Sequence, residues 1–270
     1  MRFKKTLLYA MIVSAFFACS AIASENRISY SLSLVGMSMD YKEHSSGGVL
    51  LDSEDSNLGD ISGYEMSLGY IFSRYARNQD EIGISLMQLA GKSTYKGSVL
   101  GSGDPYGSLI STTSNSFIDT SIDYRHTYFY KRYLSFVYGI GFGYHAWERK
   151  LSSVQKELYE WYSFRPMLGV DVKYKKMQAG ISAEYQYGFH TRMHSSNPSL
   201  GFILGGADIF EVAVPVTYNY RDNMAFFIKT VFSKQTIGKS DYVSSGGNTY
   251  YEPSSTSNDV YVKLGAVFKF

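Results

Sequence analysis

Apolar and polar residues alternate along this chain with period two, in segments longer than ordinary strands. At the C-terminal end Val260, Val262, Leu264, Ala266, Phe268 and Phe270 share one face, while Tyr261, Lys263, Gly265 and Lys269 share the other. Residues 177–190 repeat the pattern, with Met177, Ala179, Ile181, Ala183, Tyr185, Tyr187 and Phe189 opposite Gln178, Gly180, Ser182, Glu184, Gln186, Gly188 and His190. Residues 209–220 do so again, Phe210, Val212, Val214, Val216, Tyr218 and Tyr220 opposing Glu211, Ala213, Thr217 and Asn219. Successive side chains of a strand point to opposite sides, so each segment has one apolar and one polar face. A soluble sandwich would bury the apolar face. A transmembrane barrel turns it to lipid and lines its lumen with the other. Length separates the two, because a strand that crosses a bilayer needs about 9–11 residues.

The pattern predicts an all-β fold, a transmembrane antiparallel up-and-down β-barrel of about ten strands. These fall near 26–41, 61–73, 80–95, 114–130, 132–149, 157–174, 176–191, 207–220, 223–238 and 257–270. Long Gly/Ser-rich links are expected near 42–60, 96–113, 192–206 and 239–256, with a shorter one near 150–156. Between them lie tight turns at 74–79, Lys131, Lys175 and Arg221-Asp222. Long loops on one side and short turns on the other are the layout of an outer-membrane barrel, with the turns periplasmic. An even strand count brings both barrel ends to that side. Tyr124, Tyr128 and Tyr130, and Tyr185 and Tyr187, stand where an aromatic girdle belongs. Pro166 and Pro215 lie inside expected strands and, having no N–H for the ladder, are expected to mark bulges.

The first residues change the picture from barrel to exported barrel. Met1-Arg2-Phe3-Lys4-Lys5, an apolar run from Leu7 to Ala18 and Ala21-Ile22-Ala23 form the basic, apolar and small-residue regions of a signal peptide. Residues 1–23 are therefore expected to be removed, leaving 24–270 as one barrel domain in the bacterial outer membrane. Leu7–Ala18 is too short to anchor a membrane span. Cys19 is the single cysteine and leaves with that segment, so disulfide scaffolds and Cys-based zinc sites are excluded. Lys+Arg number 26 and Asp+Glu 24; without Arg2, Lys4 and Lys5 the balance is 23 against 24, net −1, which gives no electrostatic footprint for nucleic acid.

On the non-lipid face stand Glu65, Asp119, Asp123, Arg125, His145, Arg149, Arg165, Asp171, Lys173, Glu184, His190, Glu211, Lys229 and Lys263. Ten strands leave a narrow lumen, so these mixed charges are expected to pair across it and plug it, because unpaired buried charge costs several kcal/mol per ion. A narrow porin-like pore is the alternative. Asp52-Ser53-Glu54-Asp55 and Asp60 lack the D-x-[DN]-x-[DN]-G register of a calcium loop and read as a solvated loop tip. His126, His145, His190 and His194 show no HExxH spacing, so neither metal nor cofactor is expected. Tyr144-His145-Ala146-Trp147-Glu148-Arg149 and Tyr159-Glu160-Trp161-Tyr162 flank one loop and read as girdle aromatics or as anchors for an extracellular ligand.

The chain ends in Phe270 with apolar residues at alternate positions, which resembles the C-terminal signal of bacterial outer-membrane proteins. That resemblance implies handling by the outer-membrane assembly machinery and a surround of outer-membrane lipid and lipopolysaccharide. The ten-strand count, size and final Phe are similar to the omptin proteases. Omptins activate a water with an Asp pair on one side of the barrel mouth and an Asp–His pair on the other. Here the corresponding stretches read Gly91-Lys92-Ser93-Thr94-Tyr95-Lys96, with no acid until Asp104, and His190-Thr191-Arg192-Met193-His194, with no nearby Asp. Neither pair carries over. His194-Ser195-Ser196-Asn197 resembles the His-x-Ser-Asn-Gly run of the outer-membrane phospholipase, with Pro198 in place of Gly. The expectation is a non-enzymatic barrel with a structural or surface-binding role through long loops, the lipid hydrolase and omptin-like protease being alternatives.

Overall fold

A computed structural model describes residues 27–98 and 104–270, and the expected signal peptide lies outside them. Among the described residues the regular elements are strands: β1 (Ile28–His44), β2 (Leu50–Arg74), β3 (Asn78–Gly97), β4 (Leu109–Lys131), β5 (Leu134–Lys150), β6 (Lys156–Tyr174), β7 (Met177–Ser196), β8 (Ser199–Ile203), β9 (Ala207–Arg221), β10 (Met224–Ile237), β11 (Val243–Ser245), β12 (Asn248–Tyr250) and β13 (Ser254–Lys269). The antiparallel sheet runs β6-β5-β4-β3-β2-β1-β13-β10-β9-β7, and β7 pairs back to β6, closing a ring of ten staves. β1 and β13 seal it from Ser29↔Lys269 to His44↔Ser254, and Ile28 and Phe270 exchange backbone hydrogen bonds at the base.

The staves are longer than the alternation predicts. β2 has 25 residues and β4 has 23, more than twice what a bilayer requires. The long links shrink accordingly. The expected 42–60 loop is a turn at 45–49, 96–113 is 98–108, and 192–206 becomes the top of β7, a turn and β8. β8 keeps β9's register on β7 (Arg192↔Ile203, Gly188↔Ala207), so the two are one stave interrupted at 204–206. Within 239–256 a small β11–β12 hairpin turns on Gly246 and Gly247, both at positive φ, as a two-residue hairpin turn requires.

The extra length was hidden because the two faces exchange character partway up the wall. On the lower half the outward residues are apolar and exposed: Leu32 and Leu34 of β1, Ile82 and Ile84 of β3, Phe136 to Phe142 of β5, and Leu264 of β13. A soluble protein does not tolerate so continuous an apolar belt, whereas lipid requires it. Higher up the outward positions become Ser38, Asp40 and Lys42 on β1, Lys92 and Thr94 on β3, Glu148 and Lys150 on β5. There the inner face turns apolar instead. Val35, Met37, Met39, Tyr41, Ile61, Leu89, Phe117, Trp147, Tyr159, Trp161, Met193, Phe202 and Ile237 pack into one buried cluster across the lumen. Above the belt the barrel is a water-soluble cylinder and needs an oily core.

That cluster corrects two expectations. Trp147 and Trp161 are not girdle residues, being 2% and 1% exposed inside the barrel. The lumen is plugged mainly by apolar side chains rather than by paired charges alone. The prolines also behave differently from expectation. The β6–β7 register is the same on both sides of Pro166 and the β9–β10 register passes unshifted through Pro215, so neither marks a bulge. Bulges fall elsewhere, notably at 56–60 of β2 and opposite Trp161 on β7. By contrast Tyr124, Tyr130, Tyr185 and Tyr187 are exposed on the outer wall, as a girdle requires.

Candidate functional site

The plug divides the interior in two. Beneath it lies a polar cavity of about 330 Å³, and above it a charged cluster is roofed by the segment between β10 and β13.

Most of the charges expected on the inner face line the lower cavity: Glu65, Asp119, Asp123, Arg125, His145, Arg165, Glu184, Glu211, Lys229 and Lys263. Several are paired. Lys263 donates to Glu65, and Arg165 bridges Asp119 at 3.0 Å and Glu184 at 2.8 Å. Asp123 accepts from Ser121 at 2.7 Å. The β7–β9 register sets Glu184 directly opposite Glu211, and the β10–β13 register sets Lys229 opposite Lys263. Asp171 stands near the lower end of β6, outside the cavity lining. His190 departs from expectation. The bulge opposite Trp161 gives it a φ of 52° and leaves it exposed beside Phe189, while Thr191 takes the buried position.

Two acid–histidine pairs form among the described residues: His126 Nδ1 lies 2.7 Å from Asp80 Oδ1, away from the cavity lining, and His145 meets Asp119 inside it. His145 Nδ1 lies 3.5 Å from Asp119 Oδ2, its ring stacks 4.2 Å from that of Trp161, and its Nε2 is buried without a hydrogen-bond partner among the described residues. An imidazole so oriented has one half of a general base's geometry, but no nucleophilic hydroxyl meets Nε2. The His194–Ser196 arrangement does not form. His194 is exposed, and the Ser196 hydroxyl donates to the Val154 carbonyl at 3.0 Å while accepting from the Lys156 amide at 2.8 Å. No group of three or more His, Cys, Asp or Glu able to hold a metal occurs among the described residues.

The upper cluster is centred on Arg149, brought inward by the same β5 alternation that buries His145 and Trp147. Arg149 is 1% exposed. Its Nε and Nη2 donate to Glu54 at 2.9 and 2.8 Å, and its Nη1 to Glu43 at 2.8 Å, Glu157 at 3.0 Å and the Tyr159 hydroxyl at 3.2 Å. The guanidinium also lies 4.7 Å from the Tyr41 ring and 5.2 Å from that of Trp147. Ser93 and Asn115 complete the shell of Glu54, and the Trp147 indole N–H donates to Asn115 at 2.8 Å. Tyr159 donates to Glu252, which arrives from the roof.

Four carboxyl groups thus surround one guanidinium. Burial raises the Glu157 carboxyl to about 7, with Glu43 and Glu54 adding to the rise against the pull of Arg149. Burial and then Glu43 and Glu157 hold Glu252 well above the carboxylate range. Asp52, at the edge, is raised to about 6 by burial and Glu43. Burial opposes the charge on Arg149, but Glu54, Tyr41 and Glu157 raise its affinity for its proton.

Arg149 was expected inside; Glu43, Glu54, Glu157 and Glu252 were not. Glu54 is fully buried on β2, not at a solvated loop tip. A signal for this exists in the phase of the alternation. Outward Leu32 and Leu34 give way to inward Val35, Met37, Met39 and Tyr41, and inward Tyr159 and Trp161 give way to outward Tyr162 and Phe164. An apolar face that changes parity marks where the wall leaves lipid.

No protein-family model matches the chain, and no curated protein matches it. Among solved structures it is similar to the outer membrane protease OmpT of Escherichia coli, with a TM-score of 0.55 and 9% identity over 92% of this chain and 98% of that one. It is also similar to the transport unit of the autotransporter AIDA-I of Escherichia coli (TM-score 0.48, 10% identity, 92% of each chain) and to the translocator domain of NalP of Neisseria meningitidis (TM-score 0.42, 7% identity, 99% of this chain and 97% of that one). At 9% identity the likeness to OmpT concerns the fold. The chain has the closed antiparallel ten-stranded barrel of outer-membrane proteins.

Proposed function

We propose that this chain is an outer-membrane protein, exported behind a cleaved leader of residues 1–23, whose closed barrel acts from its extracellular end in a non-enzymatic structural or surface-binding role. Lipid and lipopolysaccharide surround its apolar belt, and the assembly machinery takes up the strand that ends in Phe270. The observation that carries this reading is the plug: Trp147, Trp161, Tyr41, Tyr159, Met37 and Met193 are fully buried across the lumen. A wall that is polar outside and oily inside above the belt is built to stand in water as a rigid pedestal. It presents the turns at 45–49 and 151–155 and the roof to the cell's surroundings. Narrow conduction is disfavoured by the same plug, because a continuous apolar seal excludes the water an ion needs.

The test is conductance of the membrane-inserted protein in a planar bilayer. A silent membrane, with insertion verified by resistance to SDS until boiling, is expected. Discrete and reproducible steps would overturn the closed barrel and make the cavity charges the lining of a pore.

A further inference from the structure

The roof over the extracellular mouth is the segment 238–253, which leaves β10, forms the β11–β12 hairpin and returns to β13. Several contacts fasten it. At its base Gly238 exchanges backbone hydrogen bonds with Gly205 and Gly206, at 3.2 and 2.9 Å, and a Cβ on Gly238 would lie 2.9 Å from the Gly205 backbone. Ser240 and Glu252 clamp the two arms together: the Ser240 amide donates to the Glu252 carbonyl at 3.0 Å, and the Glu252 amide to the Ser240 hydroxyl at 2.8 Å. Lys239 lies 4.6 Å from both the Tyr242 and Tyr251 rings and donates to Ser46 at 3.1 Å. Val243 and Tyr250 rest against the plug. The remaining tie is electrostatic. The Glu252 carboxyl is driven into the barrel mouth to meet the Tyr159 hydroxyl.

That last contact is unlike the others, because of what surrounds it. Facing Glu252 are Tyr41 and Glu43 from β1, Glu157 and Tyr159 from β6 and Arg149 from β5. Arg149 is already committed to Glu54, Glu43 and Glu157. A fourth carboxylate finds no uncommitted cation there, and like charges in a buried site cannot all ionise without a large cost. A neutral carboxyl group suffers no such penalty and still accepts from Tyr159.

We propose that segment 238–253 is a proton-controlled strap: it closes the extracellular mouth while Glu252 is protonated and lifts when Glu252 ionises beside Glu43 and Glu157. Lifting uncovers Arg149 in its ring of Tyr41, Trp147 and Tyr159. The direction follows from linkage. The closed state raises the affinity of Glu252 for its proton, so it binds more protons than the open state. Closure is then favoured at low pH and is lost as pH rises through the raised value. The surface would be shut in acid and open in alkaline surroundings.

The test uses the membrane-inserted protein after loss of residues 1–23, which carry the single cysteine, with a spin label attached at S245C, an exposed position on the strap hairpin. A second protein labelled at S153C, on the 151–155 turn, is the control. Label mobility is followed from about pH 5 to about pH 9. Release of one proton predicts that the ratio of mobile to immobile label at S245C rises about tenfold per pH unit within the transition, with no change at S153C. E252Q keeps an acceptor for Tyr159 but carries no charge, so its strap should stay immobile throughout. Y159F removes the donor that holds the strap and should move the transition to lower pH. A label at S245C whose mobility is constant over the range in the unsubstituted background overturns the proposal without reference to any variant. A transition that persists unchanged in a folded E252Q protein also overturns it, because another group would then be responsible.

Discussion

Arg149 of β5 places two N–H groups, Nε and Nη2, on a single oxygen of Glu54 in β2, at 2.9 and 2.8 Å, so the two staves are joined through the barrel interior rather than along its wall. Both side chains are essentially unexposed. Such a bond draws its strength from the absence of competing water, and the same absence makes either partner costly to leave alone.

Replacing Arg149 by Met should therefore destabilise the barrel by about 3–5 kcal/mol, because Glu43, Glu54 and Glu157 lose their common cation while remaining buried. The measurement is reversible urea unfolding of the micelle- or vesicle-inserted protein, followed by the heat-dependent gel shift. Adding E54Q to R149M should restore part of the loss. A change below about 1 kcal/mol for R149M would mean that water reaches the cluster and that it is only a surface network.

Stability should fall as pH rises through neutrality, the reverse of ordinary acid denaturation. Glu157 is raised to about 7 by burial, then by Glu43 and Glu54, so the folded state holds its proton more tightly than the unfolded state does. Its contribution is complete below the ordinary carboxyl range and is lost as pH climbs through about 7. Asp52, raised to about 6 by burial and Glu43, acts in the same sense slightly earlier. Urea midpoints at a series of pH values should decline across this window, and E157Q should flatten the decline. Midpoints that hold steady or rise there would contradict the buried acidic cluster.

The plug makes its own prediction. Trp147 stacks on Phe117 with 5.5 Å between rings and meets Tyr41 edge-on at 5.0 Å, while Trp161 covers His145. Truncating either to Ala should cost about 3–5 kcal/mol. With both truncated, the seal between the polar cavity and the mouth is thinned, and a bilayer that is silent with the unsubstituted protein should show leak current. A W147A–W161A protein that folds and remains silent would locate the seal in other plug residues.

Lipid contact is tested from outside. Leu264 sits in the middle of the outward run of β13, opposite Leu34 of β1, and the two are 54% and 72% exposed. L264R should cost about 2–4 kcal/mol, the range for a basic residue at the bilayer midplane. Introducing Arg at Thr94, exposed on β3 above the belt, should be nearly neutral. Equal effects at the two sites, measured by unfolding in the same vesicles, would remove the argument for a membrane belt at that height.

The period-two alternation by itself determined the ten staves, their antiparallel order and the side on which the short turns fall. It also placed Glu65, Asp119, Arg165, Glu184 and Lys263 inside, because parity along a strand is a local property that pairing cannot alter. The change of parity is written in the sequence, but only the closed ring shows which stretch of each stave stands in lipid and which in water. Met39 and Glu54 look misplaced when the apolar face is assumed to meet lipid everywhere. They make sense once β1 and β2 are seen to rise beyond the belt, where water lies outside and the hydrophobic effect turns apolar side chains inward. The meeting of Glu43, Glu54, Arg149, Glu157 and Glu252 depends on four staves and the strap converging on one point. Contacts between residues as far apart in sequence as Glu54 and Arg149 arise only when the ring closes, and no local periodicity encodes which inner positions then face one another across the lumen.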